Sequence, residues 1–461
     1  MRVSTKRDLV EAHAFSRRRL VTAFVSGAPG GREVEPARPG RAIVGGVALA
    51  VLLVAGAAIA GVFSPRTPEG WRDQGIVIAQ ETGNNYVVLD DDGALLPTDP
   101  ISARLIYGSD SEVISSVSQD EINKVQIGDD VGIYGAPDNL PSSGLLVDSG
   151  WSACLNDDGG AQFRIDRTAA TTPAPSAAVT VEGREGKRWL VASAGDGSGG
   201  FRLDLGSGPV ANGILARLGL GSAPEYVVPD EWLNLFPVGP SLSAGSFGVS
   251  GSGAASYAGS LGDPGLQVGS LVTYAGKSYV LDTDEPVEVS PFAAAVYEIV
   301  ADRRPVEIDT FEARPRAAAD LSVWPAAEPV ALTAEPCAVL DADSGRASRT
   351  LLATTPTGDA GADDVGDAIR FSVAPGQGAY VRTAGHGDAA GGQQWVVDSG
   401  GTRYRLGGKG TETAGLLGYS SYDPPTIPDA WIEQFACGPE LSARAALGSP
   451  DAERATSSCQ A

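Results

Sequence analysis

Histidine is nearly missing from this 461-residue chain, which has only His13 and His386. A Ser-His-Asp triad or a histidine-built metal site needs an imidazole beside a nucleophile or beside other ligands, and neither residue has such company in the sequence. His386 sits in Gly385-His386-Gly387, read here as a solvated loop, with no G-x-S-x-G motif nearby. Cysteine is scarce too. The four present, Cys154, Cys337, Cys437 and Cys459, contain no C-x-x-C pair, which excludes a zinc ribbon or a thioredoxin-type centre. Basic charge is thin beyond the N-terminus. The net charge is −23, and residues 1–41 hold nine Lys/Arg against four acids, leaving 25 basic and 53 acidic residues in the remainder. So acidic a body excludes nucleic acid and anionic lipid as its partners. Long apolar runs are absent, with one exception.

That run, Ile43 to Phe63, has no charged residue across 21 positions. As a helix it would measure about 31 Å, enough to cross a hydrocarbon core of about 30 Å. Beyond it Arg66 and Arg72 are offset by Glu69 and Asp73, so the positive-inside rule keeps the basic end in the cytoplasm and exports the rest. The expected layout is a basic amphipathic tail over 1–41, a transmembrane helix over 42–64 and an extracytoplasmic body over 65–461. The competing reading is a cleaved signal peptide ending at Ala58-Ile59-Ala60; the length of the run, and of the stretch before it, favours a retained anchor. Within the tail, Val10, Ala14, Leu20, Val21, Phe24 and Val25 with Phe15 are expected to share one helical face, and Arg17-Arg18-Arg19 the other. Such a helix lies on anionic headgroups, or docks a partner through Phe15, Arg17, Arg18 and Arg19.

A body of about 400 residues buries more than one core. Its composition is rich in Gly (60) and Pro (31), and its apolar runs are short and β-like: Gly75-Ile76-Val77-Ile78, Tyr86-Val87-Val88-Leu89, Trp189-Leu190-Val191 and Trp395-Val396-Val397. The expected class is α+β and β-rich. Thr168–Ala178, Ser241–Gly265 and Asp359–Asp367 are small-residue or Gly/Asp stretches, expected as poorly ordered surface connections.

The body repeats itself. Pro229-Asp230-Glu231-Trp232-Leu233 matches Pro428-Asp429-Ala430-Trp431-Ile432; Phe236, Gly239, Pro240 and Leu242 then match Phe435, Gly438, Pro439 and Leu441 without a gap. Leu218-Gly219 and Leu417-Gly418 agree at the same offset before each Trp. Upstream, Trp189-Leu190-Val191 with Phe201-Arg202-Leu203 resembles Trp395-Val396-Val397 with Tyr404-Arg405-Leu406. The motif reads as a short helix, opened by Pro and acids and stopped by Gly-Pro, whose Trp and Phe pack on its own β-hairpin. Trp189, Trp232, Phe236, Trp395, Trp431 and Phe435 are therefore expected as repeat core. A weaker pair, Gly83–Asp90 and Gly276–Asp282, brings the repeat-like units to four, near 75–110, 185–242, 270–300 and 391–441. Central elements are expected near 125–165 and 325–385, with two arms of similar units meeting around them.

Two tempting motifs fail. Gly269 lies two residues too far from Gly276-Lys277-Ser278 for a P-loop, Leu271 holds the required position, and a strand pattern follows where a helix is needed. The segment reads as a hairpin turn. Asp90-Asp91-Asp92-Gly93 and Asp341-Ala342-Asp343-Ser344-Gly345 lack the Glu at position twelve of a calcium loop, and read as turns. No catalytic, cofactor-binding or metal residue is assigned. All four cysteines lie beyond the apolar run, where disulfides persist. A Cys154–Cys337 bridge would tie the halves of the body, worth roughly 4–5 kcal/mol by loop closure. Cys437 and Cys459 are available for a second bridge; the alternative is two free thiols.

The basic helix with Phe15 and Arg17-Arg18-Arg19-Leu20, the single apolar run and Gly132-Ile133-Tyr134-Gly135-Ala136-Pro137-Asp138-Asn139-Leu140-Pro141 together resemble the EccB family, a membrane core component of actinobacterial type VII (ESX) secretion systems. The Cys154 and Cys337 placement, both W-x3-F-x2-G-P-x-L segments and Ser372-Val373-Ala374-Pro375-Gly376 fit the same family, and the resemblance covers nearly the whole chain. It implies a single-pass membrane protein with a central β-rich core, quasi-symmetric repeat domains and a core disulfide. It implies assembly with EccC, EccD and EccE, contact with the mycosin protease, and self-association. Family members are sometimes labelled ATPases; ATP enters here only through that label, since no Walker A motif is present. The leading expectation is a structural subunit of the secretion complex. The alternatives are a membrane-tethered ATPase, and an envelope-binding module gripping peptidoglycan through exposed tryptophans and Gly/Ser loops.

Overall fold

The computed structural model describes residues 5–26, 43–54, 67–90, 93–108, 114–156, 158–168, 171–342, 347–355, 368–388, 391–451 and 459. The chain divides into two compact units, Met1–Arg66 and Thr67–Ala461.

The first unit contains helix α1 (Lys6–Ser26) and a helical stretch, α2, over residues 43–54. Among the described residues no helix is long and apolar enough to cross a membrane. Residues 55–63 of the apolar run, with Ala58-Ile59-Ala60, lie outside the described residues. Helical geometry corrects one expectation about the tail. At about 100° per residue, Val10, Leu20, Val21, Phe24 and Val25 fall within one arc, but Phe15 lies outside it and Arg17 inside it. The apolar and basic residues of α1 are thus interleaved, and its exposed Phe15 shares a side with Arg19.

The second unit repeats one topology four times. The first copy runs β1 (Gly75–Ala79), β2 (Asn85–Val88), β3 (Leu96–Thr98), α3 (Pro100–Tyr107), β4 (Ile114–Val117) and α4 (Gln119–Ile122). A central segment follows: β5 (Ser152–Leu155), β6 (Ala161–Ile165) and β7 (Thr172–Pro173). The second copy is β8 (Ala177–Gly183), β9 (Arg188–Ser193), β10 (Gly200–Asp204), α5 (Gly208–Arg217), β11 (Glu225–Val228) and α6 (Asp230–Leu233). The third is β12 (Leu271–Tyr274), β13 (Lys277–Leu281), β14 (Pro286–Val289), α7 (Pro291–Val300), β15 (Val306–Glu307) and β16 (Arg316–Ala317). After β17 (Val330–Ala331) the chain re-enters the centre with β18 (Pro336–Asp341), β19 (Arg349–Thr354) and β20 (Ile369–Val373). The fourth copy is β21 (Ala379–Ala384), β22 (Gln393–Val397), β23 (Thr402–Arg405), α8 (Gly410–Leu416), β24 (Thr426–Pro428), α9 (Asp429–Ile432) and β25 (Ala436–Cys437), followed by α10 (Ala443–Ala446).

In each copy three antiparallel strands lead into a helix, and the next strand returns parallel to the first: β4 beside β1, β11 beside β8, β15 beside β12, β24 beside β21. The helix starts are written locally. Asp99 and Ser290 cap α3 and α7 through their side chains, each followed by Pro, whose fixed φ suits the first helical position. Strands β20-β6-β5-β18-β19-β7 form a six-stranded central sheet drawn from both halves of the chain.

The arms do not follow chain order. Helix α5 of the second copy packs on α7 of the third, whereas α3 of the first packs on α8 of the fourth. The two helix-facing cores are correspondingly mixed. Leu190, Ile214 and Leu215 bury with Phe292 and Val296 in one, and Ile101 and Leu105 with Tyr380, Tyr404 and Leu417 in the other.

Two expected linkers are ordered. Ala177 and Ala178 open β8, and Thr172–Pro173 pairs with β19. Within Ser241–Gly265, two 3-10 turns seat Phe247 against Tyr297 and Trp324, and bury Ala255, Ala258 and Leu261 beside the third sheet. Small residues let the backbone lie close on the sheet while a few large ones anchor it, which composition alone reads as linker. Asp359–Asp367 lies outside the described residues.

Candidate functional site at the junction of the repeats

The centre is closed by a disulfide. Cys154 in β5 stands directly opposite Cys337 in β18, with Cα atoms 4.0 Å apart and 183 residues between them in sequence. Alternation along both strands puts these sulfurs on one face of the central sheet, with Val339 and Ala353. The other face carries Ala153, Leu155, Phe163, Ala338, Leu340 and Leu352, and onto it both the second and the fourth repeats bury their aromatics.

All six aromatics expected as repeat core belong to that one cluster: Trp189, Trp232, Phe236, Trp395, Trp431 and Phe435. Trp232 Nε1 donates to the Ala153 carbonyl at 2.9 Å. Trp431 Nε1 donates to Thr350 Oγ1 at 3.0 Å, and Thr350 Oγ1 in turn donates to the Leu235 carbonyl at 2.7 Å. One hydroxyl of β19 therefore joins the fourth repeat to the second. Phe435 lies between Trp151, at 5.9 Å, and Phe371, at 5.5 Å. Burying a side chain of this size removes roughly 150–250 Å² from water, worth several kcal/mol. All seven tryptophans of the chain are buried. The envelope-binding alternative invoked exposed tryptophans beside Gly/Ser loops, and the tryptophans are not available for it.

Strand register corrects the repeat alignment. Arg202 pairs with Val191 and bridges Val238, while Arg403 pairs with Val397 and bridges Cys437. Arg202 thus corresponds to Arg403, not to Arg405, two residues away. The two arginines behave alike. Each lies over the Trp of its own hairpin, Arg202 at 5.2 Å from the Trp189 ring and Arg403 at 5.2 Å from the Trp395 ring. Each donates to the end of its short helix, to Asn234 Oδ1 and to the Ile432 carbonyl respectively. Burial pulls both guanidinium pKa values down from their ordinary range, against nearby Asp230 and Glu433. Sequence reasoning missed this pair because the shared Arg-Leu dipeptide suggested a register shifted by two.

The Gly-Pro of the motif also acts differently from the expected helix stop. Helices α6 and α9 end at Leu233 and Ile432, well before it. Gly239 N donates to the Arg202 carbonyl and Gly438 N to the Arg403 carbonyl, at 3.0 and 2.9 Å, so both segments run beside the third strand of their sheet. A Cβ on Gly239 would come within 2.5 Å of Leu203 Cδ2, and one on Gly438 within 2.3 Å of Tyr404 Cε1. At Gly438 a side chain would have to displace the Tyr404 ring, and at Gly239 only the end of Leu203.

Cys437 and Cys459 are bridged across 22 residues, fastening the C-terminal end to β25. Lys277 opens β13 directly after Ala275-Gly276, a two-residue hairpin turn with both φ values positive, and its Nζ pairs with Glu288 at 2.7 Å on an exposed surface. Among the described residues no group of three His, Cys, Asp or Glu converges on a metal position. Phe15, Arg17, Arg18 and Arg19 lie exposed on α1.

A cleft opens at the junction. Of about 390 Å³, it is lined by Phe201 and Pro237 of the second repeat, Arg349 and Thr350 of the central sheet, and His386 and Gly387 of the fourth repeat. His386 Nε2 lies 3.2 Å from the Asn234 carbonyl oxygen. The loop is exposed, as expected of a solvated one, and its imidazole touches the second repeat at this carbonyl. Taken together, the site is a shared hydrophobic junction fixed by two indole donors, one hydroxyl and one disulfide. Its chemistry is that of holding parts together.

A family model described as type VII secretion system ESX-1, transport TM domain B, matches residues 2–453. A protein of Mycobacterium tuberculosis (strain H37Rv), named ESX-3 secretion system ATPase EccB3, is 31% identical over 482 residues, covering 90% of this chain and 84% of that protein. ESX-1 secretion system ATPase EccB1 of Mycolicibacterium smegmatis is 34% identical over 115 residues, 25% of this chain and 23% of that protein. Among solved structures, a chain of an intact ESX-5 inner membrane complex shares the fold with a TM-score of 0.61 and 22% identity, over 98% of this chain and 96% of that one. The EccB3 dimer from the ESX-3 core complex does so with a TM-score of 0.60 and 22% identity, over 81% and 99%. The chain belongs to the type VII secretion system ESX-1 transport TM domain B family, the EccB proteins.

Proposed function

We propose that this chain is a structural subunit of a type VII secretion membrane complex, anchored once in the cell membrane and organising the complex on its exported side. The observation that carries the reading is family membership over residues 2–453 combined with a junction at which the second and fourth repeats pack on one central sheet. The apolar run Ile43–Phe63 supplies the anchor, and the surplus of Lys/Arg before it keeps the N-terminus cytoplasmic. The tail's Phe15, Arg17, Arg18 and Arg19 then meet cytoplasmic or membrane partners, and the acidic body meets exported ones. EccC, EccD, EccE and a mycosin protease are the partners this role calls for. A second copy is a further one, in keeping with the related EccB3 solved as a dimer.

The names of the relatives carry an ATPase activity. In this chain the lysine nearest a phosphate-loop pattern, Lys277, sits in a hairpin and is ion-paired with Glu288, so it lacks the helix N-terminus that holds phosphate. The role is tested by complementation. In a strain lacking the gene, the full chain restores secretion, whereas a body exported behind a cleavable signal in place of residues 1–63 does not. Restoration by the untethered body would contradict the anchoring role.

A further inference from the structure

The central sheet ends on one side at β20, and no described strand pairs with the outer edge of β20. At the two ends of its ladder Ala161 N donates to the Ala368 carbonyl and Ala374 N to the Ile165 carbonyl. The even-numbered residues of β20 therefore bond to β6, and Ile369, Phe371 and Val373 turn their N–H and C=O groups outward. The side chains of these three alternate onto the aromatic face of the sheet, where they are only partly buried. Phe371 rests there on Phe163 at 5.1 Å and Phe435 at 5.5 Å. An open edge of this kind recruits another strand unless shortness, proline, charge or cover blunts it. Most other sheet edges are blunted. Strands β7, β15, β16, β17 and β25 have two residues each, β3 and β24 have three with a proline in each, and β10 is covered by the segment at Val238. The edge strands β4 and β11 have four residues, with two serines in one and Glu225 in the other. Strand β20 has five, with no proline and no acid, and is the longest uncovered edge among the described residues.

We propose that β20 pairs antiparallel with β20 of a second copy, about a two-fold axis at Phe371, and so joins two central sheets edge to edge. This rests on the reading of the chain as a self-associating subunit and gives the second copy its place. The strand, Ile369-Arg370-Phe371-Ser372-Val373, has the same order of apolar and polar residues in either direction. A second copy supplies the complement by construction. In this register Phe371 faces Phe371 of the second copy and Ile369 faces its Val373, so every outward N–H and C=O of the three finds a partner. On the aromatic face the partly buried side chains meet as three apolar pairs and leave water together. On the opposite face Arg370, exposed and without an ion pair among the described residues, lies across from Ser372. Slipping the pair until Arg370 faced Arg370 would set two like charges side by side, which fixes the register. Charge also selects the place. Beyond residue 41 the chain holds 53 acidic residues against 25 basic ones, so two copies repel over most of their surface, and β20 offers a stretch with one base and no acid.

The test uses the full-length chain in its membrane. Residue 370 of one copy and residue 372 of the other form a non-hydrogen-bonded pair in this register, with Cα atoms about 4.5 Å apart and within reach of a disulfide. Two forms with different tags, Arg370→Cys and Ser372→Cys, are produced together and oxidised before solubilisation. The four native cysteines are bridged, so the introduced thiols are the free ones. The expected result is a mixed cross-linked dimer, at least about five-fold above the cross-linking of either variant alone, since like positions stand too far apart for a disulfide. Val373→Pro removes an outward N–H and leaves the β6 ladder intact. It should be monomeric by ultracentrifugation in detergent where the parent associates, with a native circular dichroism spectrum. Absent cross-linking, or equal cross-linking of the single variants, would overturn the strand pairing, as would a natively folded Val373→Pro that still associates. If the parent nevertheless sediments as a dimer or larger, self-association stands and β20 is not its surface. A parent that is monomeric at every concentration and gives no cross-link in membranes contradicts both.

Discussion

At the scale of single residues, the repeat signature W-x3-F-x2-G-P-x-L divides into side chains that fill space and a glycine that yields it. Gly438 lies against Tyr404, whose hydroxyl is hydrogen-bonded to Asp398 at 3.0 Å and whose ring is buried, so it has nowhere to move. Gly239 lies against the end of Leu203, which has other rotamers. Gly438→Ala is expected to cost about 2–3 kcal/mol of stability, and Gly239→Ala about 1 kcal/mol, in urea unfolding of the exported body. Equal costs would show that the two glycines are not held by these contacts. Cys154→Ser is expected to lower stability by roughly 3–5 kcal/mol under oxidising conditions while leaving the far-ultraviolet spectrum native, since the bridge mainly restricts the unfolded chain. These residues were visible in the sequence as a repeated motif and an even cysteine count. The reason for the glycine was not, because the close approach comes from a strand that lies more than thirty residues away in each copy.

At the scale of elements, the helix pairs define the arms. Helices α5 and α7 approach so closely that a Cβ on Gly213 would lie 3.0 Å from Ile299 Cγ2, and Arg217 at the rim reaches Glu298 at 2.7 Å and Glu328 at 3.1 Å. The rim ion pairs contribute little on an exposed surface; the apolar contact holds the pair. Gly213→Val is expected to overpack it by about 1–3 kcal/mol and to raise amide exchange in α5 and α7 together, with α3 and α8 unaffected. Exchange rising equally in all four helices would contradict the pairing of second with third and first with fourth. The existence of four related units could be read from sequence, but their first strands in the second and fourth copies could not. Strand β8 begins inside a Pro-, Ala- and Ser-rich stretch that resembles a linker, and β21 carries none of the tryptophans that mark the repeat. Chain order also concealed the arms, since helix pairing is a tertiary choice that no local pattern encodes.

At the scale of the whole molecule, the chain combines an apolar run of 21 residues with an acidic body whose tryptophans are all spent on internal packing. A lattice of this kind, tied at its centre by Cys154–Cys337 and at its end by Cys437–Cys459, suits a part that positions others. Lys277 offers a direct check on the nucleotide reading. Lys277→Ala is expected to leave any ATP turnover of the assembled complex unchanged, because the side chain serves a surface ion pair; a severe loss would require a nucleotide site in the third repeat. The role proposed for the chain is that of an anchored member of a membrane assembly. The most direct measurement is affinity purification of the full-length tagged chain from solubilised membranes of secreting cells, followed by native sizing and identification of what travels with it. One large particle containing other type VII membrane subunits together with this chain is the expected result. Recovery of the chain alone, at the size of a single copy in detergent, would contradict it.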